Sequence, residues 1–222
     1  GFSNEEKEVI IYGSSGKKII AKTSNQKRIA DLHNKNDLLF VIGPAGTGKT
    51  YVSVALGVKA LKEKKIKKII ITRPVVEAGE NLGFLPGDLQ DKIDPYLKPI
   101  YDALEDMIPI QKMKKFIENK TIEIAPLAYM RGRTLKNAFI LLDEAQNTTE
   151  SQLKMFLTRL GQNSKMIVTG DISQIDLRKN QSSGLVDAKN KLNNIEGIGF
   201  THLDSSDVLR HSLVKKILDK YQ

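Results

Sequence analysis

Short apolar runs alternate along the chain with stretches in which apolar residues recur at helical spacing. Residues 38–42, 68–72, 121–125, 138–142, 165–169 and 198–203 are dense in Ile, Leu, Val and Phe. Runs of this kind, separated by helix patterns, predict parallel strands covered on both faces. The helix patterns fall at 25–32, 50–64, 150–160, 182–193 and 207–221. Residues 77–120 read as mostly helical, broken at Gly83, Pro86, Gly87, Pro95 and Pro99. The predicted fold class is α/β, a mainly parallel sheet flanked by helices. Ahead of it, β-prone residues 8–12 and 17–22 surround Gly13-Ser14-Ser15-Gly16 and predict a β-hairpin. The expected organisation is a small hairpin appendage over 1–22 and one larger domain over 23–222.

The chain has no cysteine, which excludes disulfides, zinc–thiolate sites and a cysteine nucleophile together. No run approaches the ~20 apolar residues needed to cross a bilayer, and no secretory signal is visible. The expected setting is the cytoplasm, with no membrane partner. The formal charge of +9, from 35 Lys+Arg against 26 Asp+Glu, suits a polyanion such as RNA through counterion release. Much of the excess is lysine in helical stretches, so a solubilising surface is the other reading.

Gly43-Pro44-Ala45-Gly46-Thr47-Gly48-Lys49-Thr50 satisfies G-x-x-x-x-G-K-[ST] between a predicted strand and a predicted helix, as a P-loop requires. The glycines let the backbone curl until several N–H groups face one anion, and the helix N-terminus adds its positive dipole end. Lys49 is expected to reach the β- and γ-phosphates of a nucleoside triphosphate, and the Thr50 hydroxyl to ligate Mg²⁺. Tyr51 either packs near the base or is a core tyrosine.

The apolar run 138–142 ends in Asp143-Glu144-Ala145-Gln146. A carboxylate at the C-terminal edge of a parallel strand lies in the ligand crevice. Asp143 is expected to hold Mg²⁺ directly or through water, and Glu144 to orient and deprotonate the attacking water. The same pair can cap the segment that follows. One strand later, Thr169-Gly170-Asp171-Ile172-Ser173-Gln174 offers Gln174 and Thr169 as sensors of the γ-phosphate, with Asp171 supporting. A capped turn is the alternative.

Asp143-Glu144-Ala145-Gln146 resembles motif II of superfamily 1 helicases, and Gly170-Asp171-x-x-Gln174 resembles their motif III. Gln26 resembles the upstream glutamine that reads adenine in those enzymes. Ile71-Thr72-Arg73-Pro74, Leu82-Gly83-Phe84-Leu85-Pro86-Gly87, Pro126-Leu127-Ala128-Tyr129-Met130-Arg131-Gly132-Arg133-Thr134 and Arg210-His211 extend the likeness. From about Ala21 onward the chain is similar to the PhoH family. The resemblance implies a helicase- or RecA-like P-loop core. It further implies a Mg²⁺-dependent ATPase of the bacterial cytoplasm, tied to RNA metabolism with an RNA helicase activity, and ring-shaped homo-oligomers such as hexamers. Superfamily 1 helicases carry two ATPase-like domains and this chain has room for one. Movement on RNA therefore needs a second surface from a neighbouring subunit.

In the helicase analogy Arg73 lies near a motif that contacts the nucleic-acid backbone; otherwise it is an exposed loop arginine. Arg131 and Arg133 flank Gly132 and either bind phosphate or pair within the domain. Arg210 is the arginine-finger candidate, in cis or in trans, with pairing to the nearby acids as the alternative. His33, His202 and His211 show no metal-ligand spacing. The reading that follows is ATP hydrolysis coupled to RNA binding or unwinding. Its rival is an ATP-gated interaction module acting on a partner such as a ribonuclease. A small-molecule kinase is a third reading, against which the Asp143-Glu144 pair argues.

Overall fold

The structure is a computed structural model that describes residues 9–75 and 89–221, with the side chains of residues 89–94 excepted. The expected breaks at Gly83, Pro86 and Gly87 lie outside the described residues. β1 (Val9–Tyr12) and β2 (Lys18–Ile20) form the antiparallel hairpin. After α1 (Ser24–Lys35), the sheet is built from β3 (Leu38–Ile42), β4 (Lys68–Arg73), β5 (Ile122–Pro126), β6 (Ala138–Leu142), β7 (Lys165–Gly170) and β8 (Ile198–His202). The strand order is β5-β4-β6-β7-β3-β8 and every pairing is parallel. The helices that cross between strands are α2 (Lys49–Lys62), α3 (Leu89–Met107), α4 (Ile110–Glu118), α5 (Glu150–Leu157) and α6 (Gly184–Lys191).

Alternation along each strand sends its side chains to two separate cores. Leu39, Val41, Ile69, Ile71, Phe139, Leu141 and Ile167 face a cluster that takes in α1 to α4 and the hairpin residues Ile10, Ile11 and Ile19. Phe40, Ile140, Leu142, Met166 and Val168 face the other, closed by Leu153 and Phe156 of α5 and Leu185 of α6. On the first face α2 approaches β6 so closely that a Cβ on Gly57 would lie 2.4 Å from the Phe139 ring. Helix starts follow local chemistry. The Thr149 hydroxyl accepts from the backbone N–H of Gln152, whose side chain accepts from the Thr149 N–H, and this reciprocal pair starts α5.

Register decides what the sheet presents. Ile42 stands opposite both Gly170 and His202, and Thr72 stands opposite Leu142. The C-terminal ends of β3, β4, β6 and β7 are therefore flush. The residues that leave them, 43–50, 73, 143–144 and 171, emerge along one edge.

Two expectations need correction. Pro95 and Pro99 lie inside α3 without ending it. Both are exposed, while Leu97, Ile100, Leu104 and Met107 form a buried stripe. Packing of that stripe outweighs the hydrogen bonds the prolines forgo, and their rings sit on the solvent side where a bend is tolerated. At the C-terminus, α7 (Ser212–Leu218) is much shorter than the pattern over 207–221 predicts. The Asp207 carboxylate accepts from Asn25 and from the Asp204 N–H, which closes a short 3₁₀ turn in place of a first helical turn.

His33, at the end of α1, packs edge-on against Phe139. Burial, with Lys165 and Lys65 adding like charge, pulls its pKa from 6.5 down to about 4. The native state thus prefers the neutral imidazole, and its contribution is complete above the unfolded pKa. As pH falls from 6.5 towards 4 the unfolded chain binds a proton that the native chain refuses. The expected loss is about 3 kcal/mol across that window, at about 1.4 kcal/mol per pH unit. Urea unfolding of wild type and His33→Gln at pH 7 and pH 4.5 checks this. A stability gap between the two proteins that does not change with pH would refute it.

Candidate functional site

The loop after β3 curls through left-handed backbone at Gly46 (φ +80°) and Gly48 (φ +79°), a conformation that side chains other than glycine resist. Gly48 is also the N-cap of α2, so the open N–H groups of that helix face into the loop. A Cβ on Gly48 would lie 2.6 Å from the Gln26 amide nitrogen. Gln26 is buried. It donates to the Thr47 carbonyl at 2.9 Å and accepts from the Lys22 N–H at 2.8 Å. It therefore braces the loop from behind. Lys49 reaches across the loop and donates to the Pro44 carbonyl at 3.1 Å, beside the Thr47 hydroxyl, which donates to the same oxygen at 2.8 Å.

Asp143, 1% exposed, is the hub of the site. Its Oδ1 accepts from the Thr50 hydroxyl and from the Thr169 hydroxyl, each at 2.7 Å. Its Oδ2 accepts from Arg73 Nε at 3.2 Å and Nη2 at 2.6 Å. Arg73 also donates to the Tyr96 carbonyl of α3 at 2.6 Å. Arg73 is thus a partner of Asp143, where sequence reasoning put it on a nucleic-acid path or an exposed loop. Thr169 likewise hydrogen-bonds the carboxylate.

Glu144 follows in a left-handed conformation, φ 58°. Such a conformation is costly for a side-chain-bearing residue and is held here by its surroundings. Its Oε2 accepts from Gln146 Nε2 at 2.5 Å. Gln146 is buried, and its Oε1 accepts from the Asp171 N–H at 3.1 Å while Nε2 also reaches the Gln174 carbonyl at 3.5 Å. One amide therefore ties Glu144 to the loop after β7. Asn147 adds a second tie by accepting from the Asp176 N–H at 2.8 Å. Gln146 and Asn147 were assigned no role from sequence. Their signal was their place directly behind the two carboxylates.

The remaining residues divide. Asp171 accepts from the Ser173 N–H and hydroxyl, the capped-turn alternative, and the Gln174 side chain is exposed at that turn. Arg133 forms a two-pronged pair with Glu123 at 2.7 and 2.8 Å, and this holds the Glu123 carboxyl below its usual range. Arg131 is exposed and makes no hydrogen bond or ion pair among the described residues. The Tyr51 ring packs on the core. Its hydroxyl donates to Asp106 at 2.9 Å, and burial with that bond pushes its pKa up. This partly buried placement is the one the core-tyrosine alternative expects. Arg210 lies just ahead of α7 in an extended segment over the loop. Its Nε is 4.0 Å from where a Cβ on Gly46 would stand, and the Leu209 N–H donates to the Gly46 carbonyl at 3.3 Å.

The residue set fits a magnesium nucleotide. The loop offers backbone donors and Lys49, with glycines at the two left-handed positions, Gly46 and Gly48, that curl it. Across from it stand a hydroxyl and a buried carboxylate, oxygen donors of the kind Mg²⁺ takes. Among the described residues no group of three or more His, Asp or Glu could hold a metal by protein ligands alone. Among them, too, no helix is long and apolar enough to cross a membrane.

Residues 18–222 match the family described as PhoH-like protein. The chain is 57% identical over 220 residues to the PhoH-like protein of Bacillus subtilis (strain 168), covering 99% of this chain and 69% of the relative. It is 57% identical over 211 residues to the PhoH-like protein of Mycobacterium tuberculosis (strain ATCC 25618 / H37Rv), covering 95% and 60%. Against Protein PhoH of Escherichia coli (strain K12) the identity is 44% over 205 residues, covering 91% and 58%. The chain thus spans about 58 to 69% of the length of these relatives. Among solved structures, the Pif1 helicase from Candida albicans aligns at 14% identity with a TM-score of 0.46, covering 90% of this chain and 43% of that one.

Proposed function

Because this chain belongs to the PhoH-like protein family, we propose that it is a Mg²⁺-dependent ATPase of the bacterial cytoplasm whose turnover is coupled to RNA binding or unwinding, working as a homo-oligomer. The observation that carries the ATPase reading is the bond between Thr50 and Asp143, 2.7 Å, which joins the loop after β3 to the acid pair after β6. Bound Mg²⁺ supplies positive charge against the phosphate oxygens. Thr50 and Asp143 are the residues that would hold it. Lys49 and the N–H groups of residues 45–50 bind the β- and γ-phosphates. Glu144 orients the attacking water and takes its proton, with Gln146 fixing the carboxylate. Gln174, on the loop that Gln146 grips, senses the triphosphate. Arg210 stabilises charge on the γ-phosphate from the chain's own loop. The adenine preference is assigned to Gln26 by its resemblance to the upstream glutamine of the helicases, while its amide here is engaged by the Thr47 carbonyl and the Lys22 N–H.

RNA coupling rests on the +9 charge and on Arg131. Arg73 and Arg133 are both engaged within the chain, and this favours the second reading, an ATP-gated module that regulates a partner such as a ribonuclease without moving RNA. Steady-state ATP hydrolysis with and without single-stranded RNA, at several protein concentrations and with Lys49→Ala as the blank, separates the two. Stimulation by RNA that rises with protein concentration and fades steeply with salt is expected. Slow hydrolysis indifferent to RNA would remove the RNA coupling and leave the ATP-gated module.

A further inference from the structure

The last helix is amphipathic, and among the described residues nothing covers it. Leu213, Val214, Ile217 and Leu218 line one side of α7 and are 39 to 57% exposed. Lys215 and Lys216 occupy its other side, and Lys220 follows just past its end. The helix starts three residues after Leu209, whose N–H is tied to the Gly46 carbonyl, and none of its residues lines the groove between α5 and α6.

That groove has a volume of about 930 Å³. Leu153, Leu157, Leu160, Ala188, Leu192 and Ile195 supply its apolar lining. Its rim carries Asp37, Glu150, Asp187 and Glu196 against Lys154 and Lys191. Lys191 is already paired with Asp187 at 2.8 Å and lies 3.9 Å from Glu150, so the rim is acidic on balance. Each wall is a helix of 8 residues, about 12 Å long, and α7 with 7 residues is about 10 Å.

We propose that the apolar face of α7 docks into the α5–α6 groove of a second copy of this chain. Length, apolar character and charge all match. The helix brings lysines to a rim where acids predominate, and buries Leu213 and Ile217 against the leucines of the floor. Helix and groove are different surfaces of one chain, so the contact is head-to-tail and closes into a ring or runs on as a filament. The inference rests on the homo-oligomer reading above and names the surface that makes it. It also ties the Arg210 segment, which lies on the phosphate loop and leads directly into α7, to the neighbouring subunit.

Mass photometry or sedimentation over a range of concentrations, with and without Mg²⁺·ATP, tests it. Two variants are used, Ile217→Asp on the helix and Glu150→Lys with Glu196→Lys on the rim. All three positions are exposed. Wild type is expected to assemble as concentration rises, and each variant alone at least 10-fold less readily. An equal mixture of the two is expected to give dimers and nothing larger, because only one helix–groove pair remains intact. Those dimers also show that both variants are folded. Variants that assemble like wild type, or mixtures that build full-size assemblies, overturn the helix–groove contact and leave the homo-oligomer reading standing. A wild type that stays monomeric throughout overturns both.

Discussion

Glu144→Gln is expected to bind Mg²⁺·ATP as wild type does and to turn it over at least ~10²-fold more slowly. The substitution keeps the size and shape of the side chain. Gln146 Nε2, 2.5 Å from Glu144 Oε2, can still donate to the new amide oxygen, so the tie to the loop after β7 survives. Only the capacity to accept a proton from water is lost. Steady-state hydrolysis and equilibrium binding of a fluorescent ATP analogue give the two readouts. Turnover within a few-fold of wild type would sink the assignment of Glu144 as base. Loss of binding and turnover together would mean that the residue shapes the site without serving its chemistry.

Arg73→Ala should lower stability by about 3 kcal/mol or more, because it leaves a buried carboxylate without its charge partner. Asp143 is 1% exposed and the Arg73 side chain 17%, so solvent screens the pair little. For a chain of this size the melting point is expected to fall by roughly 10 °C. Adding Asp143→Asn to Arg73→Ala should recover part of the loss, since the uncompensated charge is then gone. That recovery in a double-mutant cycle is the signature of a direct pair. If Arg73 instead contacts a nucleic-acid backbone, its removal weakens RNA binding and flattens the salt dependence by about one unit while stability stays near wild type. Thermal melts and RNA titrations at several salt concentrations on the same variant decide between these outcomes.

The two predictions stand at different distances from the sequence. The Asp143-Glu144 pair was legible because it closes an apolar run, and the end of a parallel strand is where ligand-facing residues lie. The phosphate loop was legible because its whole geometry is local, built from glycines, a strand before and a helix after. The six strands fall within a residue or so of the apolar runs, because near-continuous burial leaves a strong signal in composition. Prolines misled at α3, since their local cost was outweighed by the buried stripe of Leu97, Ile100, Leu104 and Met107, contacts that a local pattern does not weigh. The start of the last helix was misplaced for the same reason. Asp207 finds Asn25, 182 positions earlier, and the chain turns there before it coils.

Local order therefore determined the strands, most helices, the phosphate loop and the acid pair, since each depends on neighbours within a few residues. The tertiary structure decided which side chains meet. Arg73 finds Asp143 only because β4 lies beside β6 with Thr72 opposite Leu142. Arg133 turns to Glu123 because the chain after β5 folds back over that strand. Gln146 bridges two loops because β6 and β7 are adjacent and end together. Strand order and register create these partnerships across long stretches of chain, and neither is encoded in the spacing of residues along any one segment.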